Sequence, residues 1–233
     1  TTPAFQLSPT LLHEYAQQRD FPALSATSLL GPHLRFGTVS IRHIIRLAFE
    51  HSDTFCNELI WRDFFSQILW RFPHTQHSSF KPRYDRIQWR NNEAEFQRWC
   101  EGTTGYPLVD AGMRQLNATG WMHNRVRMVT ASFLCKHLLI DWRWGEAYFA
   151  KKLLDYDMAS NVGNWQWAAG CGVDAAPYFR IFNPAMQAQK FDKNLDYIHT
   201  WIDEWNTLTY PAPIIDHAYA RERCLKAYQQ AVG

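Results

Sequence analysis

The segment 155–167 holds the densest set of chemically active side chains in this sequence. It contains two carboxylates, two asparagine amides and two indoles: Asp155, Asp157, Asn161, Asn164, Trp165 and Trp167. Polar groups are costly to bury unless each has a hydrogen-bond partner, and a bound polar cofactor supplies such partners. Indoles beside carboxylates therefore indicate flavin or redox chemistry in a cleft. The alternative is a helix that begins with a polar cap and continues into ordinary core tryptophans.

Two predicted helices carry a second face that is not apolar. On the first, four residues recur at i, i+3, i+4 and i+7: Glu58, Trp61, Arg62 and Phe65. This spacing places a carboxylate, an indole and a guanidinium on one side of the helix. On the second, Asn124, Arg127 and Met128 stand at i, i+3 and i+4. Both faces are candidate sites, and the alternative for the first is an exposed Glu58–Arg62 ion pair beside a core tryptophan.

Helical periodicity recurs along the chain, and strand alternation is scarce. Apolar stripes at three-and-four spacing predict helices around 41–48 and 122–133, and similar patterns predict helices over 57–72, 146–154 and 216–228. The stretches 72–90 and 170–190 are predicted to be long loops. Without repeats or a low-complexity linker, the sequence indicates one all-α domain over residues 1–233.

Composition sets wider bounds. The 233 residues are 46% apolar, which is enough for a sizeable core, and the net charge of +2 does not identify a nucleic-acid binder. Between residues 62 and 90, however, there are six basic residues and only two acidic ones, and aromatic residues are interspersed among them. Cations for phosphate and flat rings for bases are typical of a nucleic-acid surface, although a solvated basic face fits equally well.

The five cysteines are widely spaced and form no zinc-ligand pattern, so we predict reduced, mostly buried thiols and no metal site. No apolar run reaches membrane-spanning length, which favours a cytoplasmic protein. Thr1 begins neither a signal peptide nor a natural start, so we expect a partial or processed chain.

Six motifs carry a family resemblance. In chain order they read NELIWR (57–62), TGYP (104–107), DAGMR (110–114), WMHNRVRM (121–128), DYDMASNVGNWQW (155–167) and RIFNP (180–184). Together they resemble the FAD-binding helical domain of class I cyclobutane-dimer photolyases, from about Tyr15 to the carboxyl end. The resemblance implies the all-α fold of the photolyase/cryptochrome type, without the amino-terminal α/β domain that holds an antenna chromophore in this family. No antenna chromophore is therefore expected in this chain.

The resemblance also implies a set of cofactor-binding residues. In the family the matching positions contact FAD: Tyr15, Thr27, Ser28, Leu29, Leu30, Gly31, Arg62, Asn124, Arg127, Asp155, Tyr156, Asp157 and Asn161. Gly31 replaces the usual Ser, so one phosphate donor is lost while the backbone amide remains. Asn161 matches the residue beside flavin N5, where an amide tolerates the anionic reduced ring. The implied working form is therefore reduced anionic FADH. Phe55 stands where relatives can carry Trp.

Three indoles, Trp165, Trp142 and Trp89, match the family's electron-hopping chain from flavin to surface. Electron transfer along these indoles would photoreduce resting flavin and would not itself perform repair. Core packing is the alternative for any single one of them.

The resemblance implies damaged DNA as the partner. Trp61 and Trp167 match the walls that hold a flipped-out pyrimidine dimer, and Glu58 and Asn124 match groups that contact the pyrimidine edges. Glu58 would stabilise the dimer radical anion if it is protonated or shares a proton. The wider set of DNA-contacting candidates is Arg19, Glu58, Trp61, Arg62, Phe65, Asn124, Arg125, Met128, Trp167, Arg180 and Lys190.

The implied activity is light-driven repair. Light excites anionic FADH, one electron passes to the dimer, the two cyclobutane bonds break and the electron returns, so Glu58, Asn161 and the three hopping indoles are the catalytic candidates. The alternatives are a cryptochrome-like light sensor without repair activity and a flavin-free DNA-binding module. A 6-4 photolyase would carry His at position 124, and a single-strand-preferring relative would lack the Met128 and Trp167 matches.

Overall fold

The structure is a computed structural model that describes residues 4–232, and these form helices and turns without a β-strand. The predicted all-α fold is therefore confirmed. No helix in the described range is both long and apolar enough to cross a membrane. The α-helices are α1 (Pro9–Gln18), α2 (Gly31–Phe36), α3 (Ile41–Phe49), α4 (Asp53–Arg71), α5 (Glu93–Glu101), α6 (Pro107–Thr119), α7 (Asn124–Ser132), α8 (Trp142–Lys152), α9 (Met158–Ala169), α10 (Pro184–Phe191), α11 (Asp196–Trp201) and α12 (His217–Val232).

Capping side chains set helix starts that the apolar pattern misplaces. Helix α4 begins at Asp53, before the predicted 57, because Ser52 Oγ accepts a hydrogen bond from Phe55 N at 3.3 Å. Helix α8 begins at Trp142, before the predicted 146, because the Asp141 side chain accepts from Arg143 N at 3.0 Å. Periodicity reports only the buried face, so it does not detect a polar first turn.

Helix α7 begins later than its apolar stripe. The His123 side chain accepts from Arg125 N at 3.2 Å, so Met122 lies just before the helix. The stripe also extends past the helix end, since Phe133 begins a π turn at Phe133–His137. All the apolar residues of the stripe are nevertheless buried, as predicted: Met122, Val126, Val129 and Phe133.

One of the two predicted loops is partly helical. The 72–90 stretch is irregular apart from two 3₁₀ turns at Pro73–Gln76 and Pro82–Arg86. The prediction of a loop over 170–190 is wrong in its second half, because α10 begins at Pro184. Asn183 caps α10 by accepting from Ala185 N at 3.0 Å, and a proline at the first helical position suits a helix start.

Two features fix α9, the helix that carries most of the 155–167 segment. Gly145 of α8 lies so close to it that an added Cβ would come within 2.1 Å of Trp165 Cη2, so only glycine fits there. On the other side, the buried Gln166 amide accepts from Phe80 N at 2.8 Å and donates to Thr75 O at 2.8 Å. Helix α9 is thereby held between α8 and the 72–90 segment.

The five cysteines are free and buried, as the sequence predicted. They belong to the interior of the helical domain, where burial raises the pKa of the Cys100 and Cys171 thiols to about 12. A thiol with such a pKa is protonated at neutral pH and is a poor nucleophile.

Two buried histidines make the fold sensitive to acid. Burial lowers the pKa of His123 to about 4, and burial with His217 and Arg223 nearby lowers that of His137 to about 3, from an ordinary 6.5. Both are neutral when folded and take up a proton on unfolding below about pH 6.5. The stability that the two neutral histidines contribute to the folded state is therefore fully present above about pH 6.5. It is lost as the pH falls toward their folded-state pKa values of about 4 and about 3. Between about pH 7.5 and 5.5, we expect urea titration to show about 2–3 kcal/mol lower stability.

His137→Gln tests this assignment, and His13→Gln is its matched control because His13 is exposed. The first should lose about half of this pH dependence and the second none of it. Equal pH dependence in the wild type and both variants would contradict the assignment.

Candidate functional site

A cavity of about 600 Å³ lies between α7, the carboxyl end of α8 and α9, and we call it the inner cavity. Its lining combines aromatic and aliphatic side chains with a few polar groups, as is typical of small-molecule and cofactor sites. It brings together six of the predicted cofactor-binding residues: Asn124, Arg127, Asp155, Tyr156, Asp157 and Asn161. Met128, Trp165 and Trp167 also line it.

A partly buried ion pair stands at one end of the inner cavity. Arg127 Nη2 donates to Asp155 Oδ2 at 2.8 Å, and Arg127 Nε donates to Met122 O at 2.7 Å. The other carboxylate oxygen, Asp155 Oδ1, is buried and has no hydrogen-bond partner within residues 4–232. A buried carboxylate oxygen without a donor is unusual and favours a ligand that donates to it.

Asn161 points a defined group into the inner cavity. Its Nδ2 donates to Glu146 Oε1 at 2.9 Å and to Glu146 O at 3.2 Å. These two bonds fix the orientation of the amide and leave its carbonyl oxygen as the acceptor for a ligand.

The helix-cap alternative for 155–167 is also partly right. Asp157 Oδ1 accepts from Ser160 N at 3.0 Å and caps α9, so this carboxylate has a structural partner as well as a place in the cavity wall. Trp165 is 2% exposed and packs against Phe149 and Trp99. Trp167 is half-buried and faces both the cavity and the surface.

A second depression, of about 710 Å³, lies between α4, α7 and α9, and we call it the outer cleft. Glu58, Trp61, Arg62 and Phe65 line it, so the polar face predicted on α4 exists. The outer cleft shares part of its wall with the inner cavity: Asn124, Met128, Ser160, Asn164 and Trp167. The two spaces are therefore adjacent.

Flat side chains form the walls of the outer cleft. Trp61 is 41% exposed and is backed by Phe64 and Phe65, with ring centroids 5.3 and 5.8 Å away. Across the cleft, Trp167 lies 6.5 Å from Phe182. Two exposed indole faces on separate helices suit a planar or aromatic ligand.

Glu58 pairs with Arg19 and not with Arg62, so the simple Glu58–Arg62 surface pair is wrong. Arg62 instead donates to Leu34 O at 3.4 Å. In this pair the Glu58 carboxylate acts as a hydrogen-bond acceptor.

The candidate phosphate ligands are only partly brought together. Arg125 and Lys190 both lie against Phe191, at 4.3 and 5.1 Å from its ring centroid. Arg180 is exposed on the 170–183 segment, and no described contact joins it to the other two.

The predicted phosphate segment is not part of the described cavity lining, but Gly31 lies against the wall residue Asp155. Residues 27–30 and Tyr15 are not in the described cavity wall, and the Leu30 side chain is buried in the core formed by α1, α3 and α4. Burial raises the pKa of Tyr15 to about 12, with its ring against Phe55 at 5.0 Å. At Gly31, an added Cβ would lie 2.7 Å from Asp155 Cβ and 2.8 Å from Asp155 Oδ2.

The three predicted hopping indoles do not form a continuous stack. Trp142 is 1% exposed and lies under the Arg143 guanidinium at 4.8 Å, while the half-buried Trp89 contacts Tyr228 at 6.1 Å. The described ring contacts of Trp165 are with Phe149 and Trp99. Among residues 4–232, no described ring contact joins any two of these three indoles.

Several residues of the site received no role in the sequence analysis. Ser160 and Asn164 share the cavity-facing side of α9 with Asn161 and Trp167, so helical spacing within 155–167 identifies them. Glu146 and Asp20 have no such local signal, because each acts on a residue far away in the sequence.

An all-α domain whose cavity carries several polar groups and shares a wall with an aromatic-walled cleft is a cofactor- and ligand-binding helical domain. The family described as "FAD binding domain of DNA photolyase" matches residues 55–209, and the chain belongs to this family. The family resemblance drawn from the motifs is thereby confirmed.

Similar proteins span the photolyases and a cryptochrome. The chain is 49% identical to the deoxyribodipyrimidine photo-lyase of Escherichia coli K12 over 94% of this chain and 52% of that protein. The class III photolyase structure from Agrobacterium tumefaciens matches with a TM-score of 0.90 and 44% identity, covering 95% of this chain and 53% of that one. A Synechocystis cryptochrome structure matches with a TM-score of 0.84 and 32% identity, covering 97% of this chain and 57% of that one. The chain spans about half the length of the curated relatives that it matches.

Proposed function

We propose that this chain is the FAD-binding, catalytic half of a light-driven photolyase of class I type that repairs cyclobutane pyrimidine dimers in DNA. The observation that carries the proposal is the adjacency of the inner cavity and the outer cleft, which share a wall at Asn124, Met128 and Trp167. A cofactor in the first space and a substrate in the second would be close enough for direct electron transfer.

The inner cavity fits FAD, and three groups would hold it. The buried Asp155 Oδ1 needs a donor, which a ribityl hydroxyl or the adenine amino group can provide. The fixed Asn161 amide offers an acceptor to the protonated N5 of a reduced ring. Arg127 supplies a positive charge beside that ring, which favours the anionic reduced form.

The outer part of the cofactor would lie toward the amino-terminal helices. Gly31 is the point where the segment 27–31 meets Asp155, so the backbone amides of this segment and the Tyr15 hydroxyl are our candidates for the pyrophosphate. Arg62 donates to Leu34 O, in the helix α2 that begins at Gly31.

The outer cleft fits a dimer that has left the duplex. Photolyases extrude their target nucleotide, and an extruded base needs flat walls on which to stack. Trp61 and Trp167 provide these walls, with Met128 and Phe65 between them. Asn124 and the paired Glu58 provide a donor and an acceptor for the pyrimidine edges.

The chemistry that bound reduced FAD supplies on illumination is the loan of one electron to the dimer, whose two cyclobutane C–C bonds break before the electron returns. The chain's own residues position both partners and exclude water. Arg19 stabilises the charge on Glu58, and Arg127 stabilises the charge on Asp155. We assign Trp165, Trp142 and Trp89 to delivery of electrons from the surface when the cofactor is oxidised.

Gly31 gives a prediction about cofactor affinity. In the Gly31→Ser variant the new Cβ would displace the Asp155 side chain, so FAD binding should weaken about tenfold or more, despite the added hydroxyl. Fluorescence titration with FAD measures this. Ala23→Ser, at an exposed loop position, is the control and should bind FAD like the wild type. Tighter binding by Gly31→Ser would contradict the proposed position of Asp155.

The test of the function is repair of a defined lesion. The FAD-loaded, reduced chain is mixed with an oligonucleotide that contains one thymine dimer, and dimer loss is followed under blue light and in the dark. Light-dependent loss of the dimer is the expected result. Flavin photoreduction without dimer loss would favour the cryptochrome-like sensor, and the absence of bound flavin would overturn the cofactor assignment.

A further inference from the structure

Four charged side chains form a continuous chain from the outer cleft to α10, and three of them are candidate DNA ligands. Glu58, in the cleft wall, pairs with Arg19. Arg19 Nε lies 3.9 Å from Asp20 Oδ1, and the same oxygen lies 2.8 Å from Arg125 Nη2. The fourth member, Asp20, lines neither the inner cavity nor the outer cleft. We call this set the charge chain.

Asp20 is not needed to hold either arginine in place. Arg125 lies over the Phe191 ring at 4.3 Å, and Arg19 is bound by Glu58 and lies 5.3 Å from the Tyr15 ring centroid. Each arginine therefore has an aromatic neighbour, and Arg19 has a second acid. What Asp20 adds is a negative charge shared by both cations.

That charge matters at a surface that contacts phosphates. Two acids and two bases make the charge chain neutral as a whole, so an intact duplex meets less positive charge there than the arginines alone would present. Phosphate contacts supply most of the affinity for undamaged DNA and carry no information on the lesion. A local acid that weakens them leaves more of the binding energy to the outer cleft.

We infer that Asp20 is a specificity-determining residue, which favours damaged over intact DNA by neutralising Arg125 and Arg19. The inference rests on the proposed function, because it requires that this face binds DNA. It extends that function by assigning lesion discrimination to a residue outside the cleft.

The test compares Asp20→Asn with the wild type, both loaded with FAD. Anisotropy titrations in the dark use a duplex with one thymine dimer and the same duplex intact, over a range of KCl concentrations. Asparagine keeps the size and the acceptor for Arg125. For intact DNA, we expect about tenfold tighter binding at about 0.1 M salt and a salt slope steeper by about one, as one more phosphate contact would produce. Affinity for dimer DNA should rise less, so the preference for the lesion should fall.

Two further variants separate charge from structure. Glu14→Gln removes an acid from the same part of the chain, and Glu14 bonds to Gln18 and not to an arginine, so this variant should behave like the wild type. In an Arg125→Gln background, Asp20→Asn should lose most of its effect, because the two residues act through one contact.

The outcomes differ for the inference and for the function it rests on. Provided that the wild type binds dimer DNA, any of three results would overturn the inference. Asp20→Asn could bind both duplexes with wild-type affinity, or could bind both more weakly than the wild type. Glu14→Gln could gain as much affinity for intact DNA as Asp20→Asn does. If the FAD-loaded wild type binds neither duplex, the proposed function itself fails.

Discussion

The Asp155→Asn variant is expected to bind FAD about 100-fold more weakly than the wild type, because a hydrogen bond to a charged group contributes about 1.5–3 kcal/mol. The Asp155 carboxylate has one oxygen on Arg127 and one buried oxygen without a donor among residues 4–232, so it can accept a hydrogen bond from a ligand. Asparagine keeps the shape but removes the charge that Arg127 needs. The measurement is the dissociation constant of FAD, from quenching of flavin fluorescence.

An Asp→Asn substitution far from the site distinguishes a local effect on FAD binding from a general effect on the fold. Asp203 is exposed and lies outside both spaces, so Asp203→Asn should bind FAD like the wild type. If Asp155→Asn keeps wild-type affinity for FAD, the inner cavity is not the cofactor site that we propose.

The Trp61→Ala variant is expected to bind dimer DNA about 10- to 100-fold more weakly, while its FAD content stays unchanged. Stacking of a base on an aromatic side chain contributes about 1–3 kcal/mol, and Trp61 offers an exposed indole face in the cleft wall. Since the indole is 41% exposed, its loss leaves the core intact. Affinity for intact DNA should change little, because phosphate contacts dominate there.

Trp70 provides a closely matched control. It lies on the same helix, is 89% exposed and is outside the outer cleft, so Trp70→Ala removes an equal surface indole. It should leave the preference for dimer DNA unchanged. Equal loss of dimer affinity in the two variants would contradict the assignment of Trp61 as a wall of the lesion site.

The sequence predicts the fold well where burial dictates residue type. Val126 and Val129 of the second stripe are buried, as are Ile44 and Ala48 of the first. Ile41, at the start of the first stripe, is 39% exposed because it lies in the first turn of its helix. Helix starts are less predictable, because a single polar side chain such as Ser52 determines them. Helix α10 escapes the periodicity argument because its eight residues are too few to show a clear apolar stripe.

The site is predictable where its residues share one element and unpredictable where they do not. Glu58 and Trp61 fall on one face of α4, and helical spacing alone places them together. The bonds from Glu146 to Asn161 and from Asp20 to Arg125 join distant parts of the chain, and only the tertiary structure reveals them. The roles of residues 27–31 and of the three indoles remain predictions from the family resemblance.

The measurement that tests the central claim most directly is the fluorescence lifetime of reduced FAD bound to the chain, with dimer DNA or intact DNA present at saturating concentration. Adjacent sites allow an electron to leave the excited cofactor for the dimer, so dimer DNA should shorten the lifetime and intact DNA should leave it unchanged. Equal lifetimes with both DNAs bound would show that the two spaces do not act as cofactor site and lesion site, and would contradict the account.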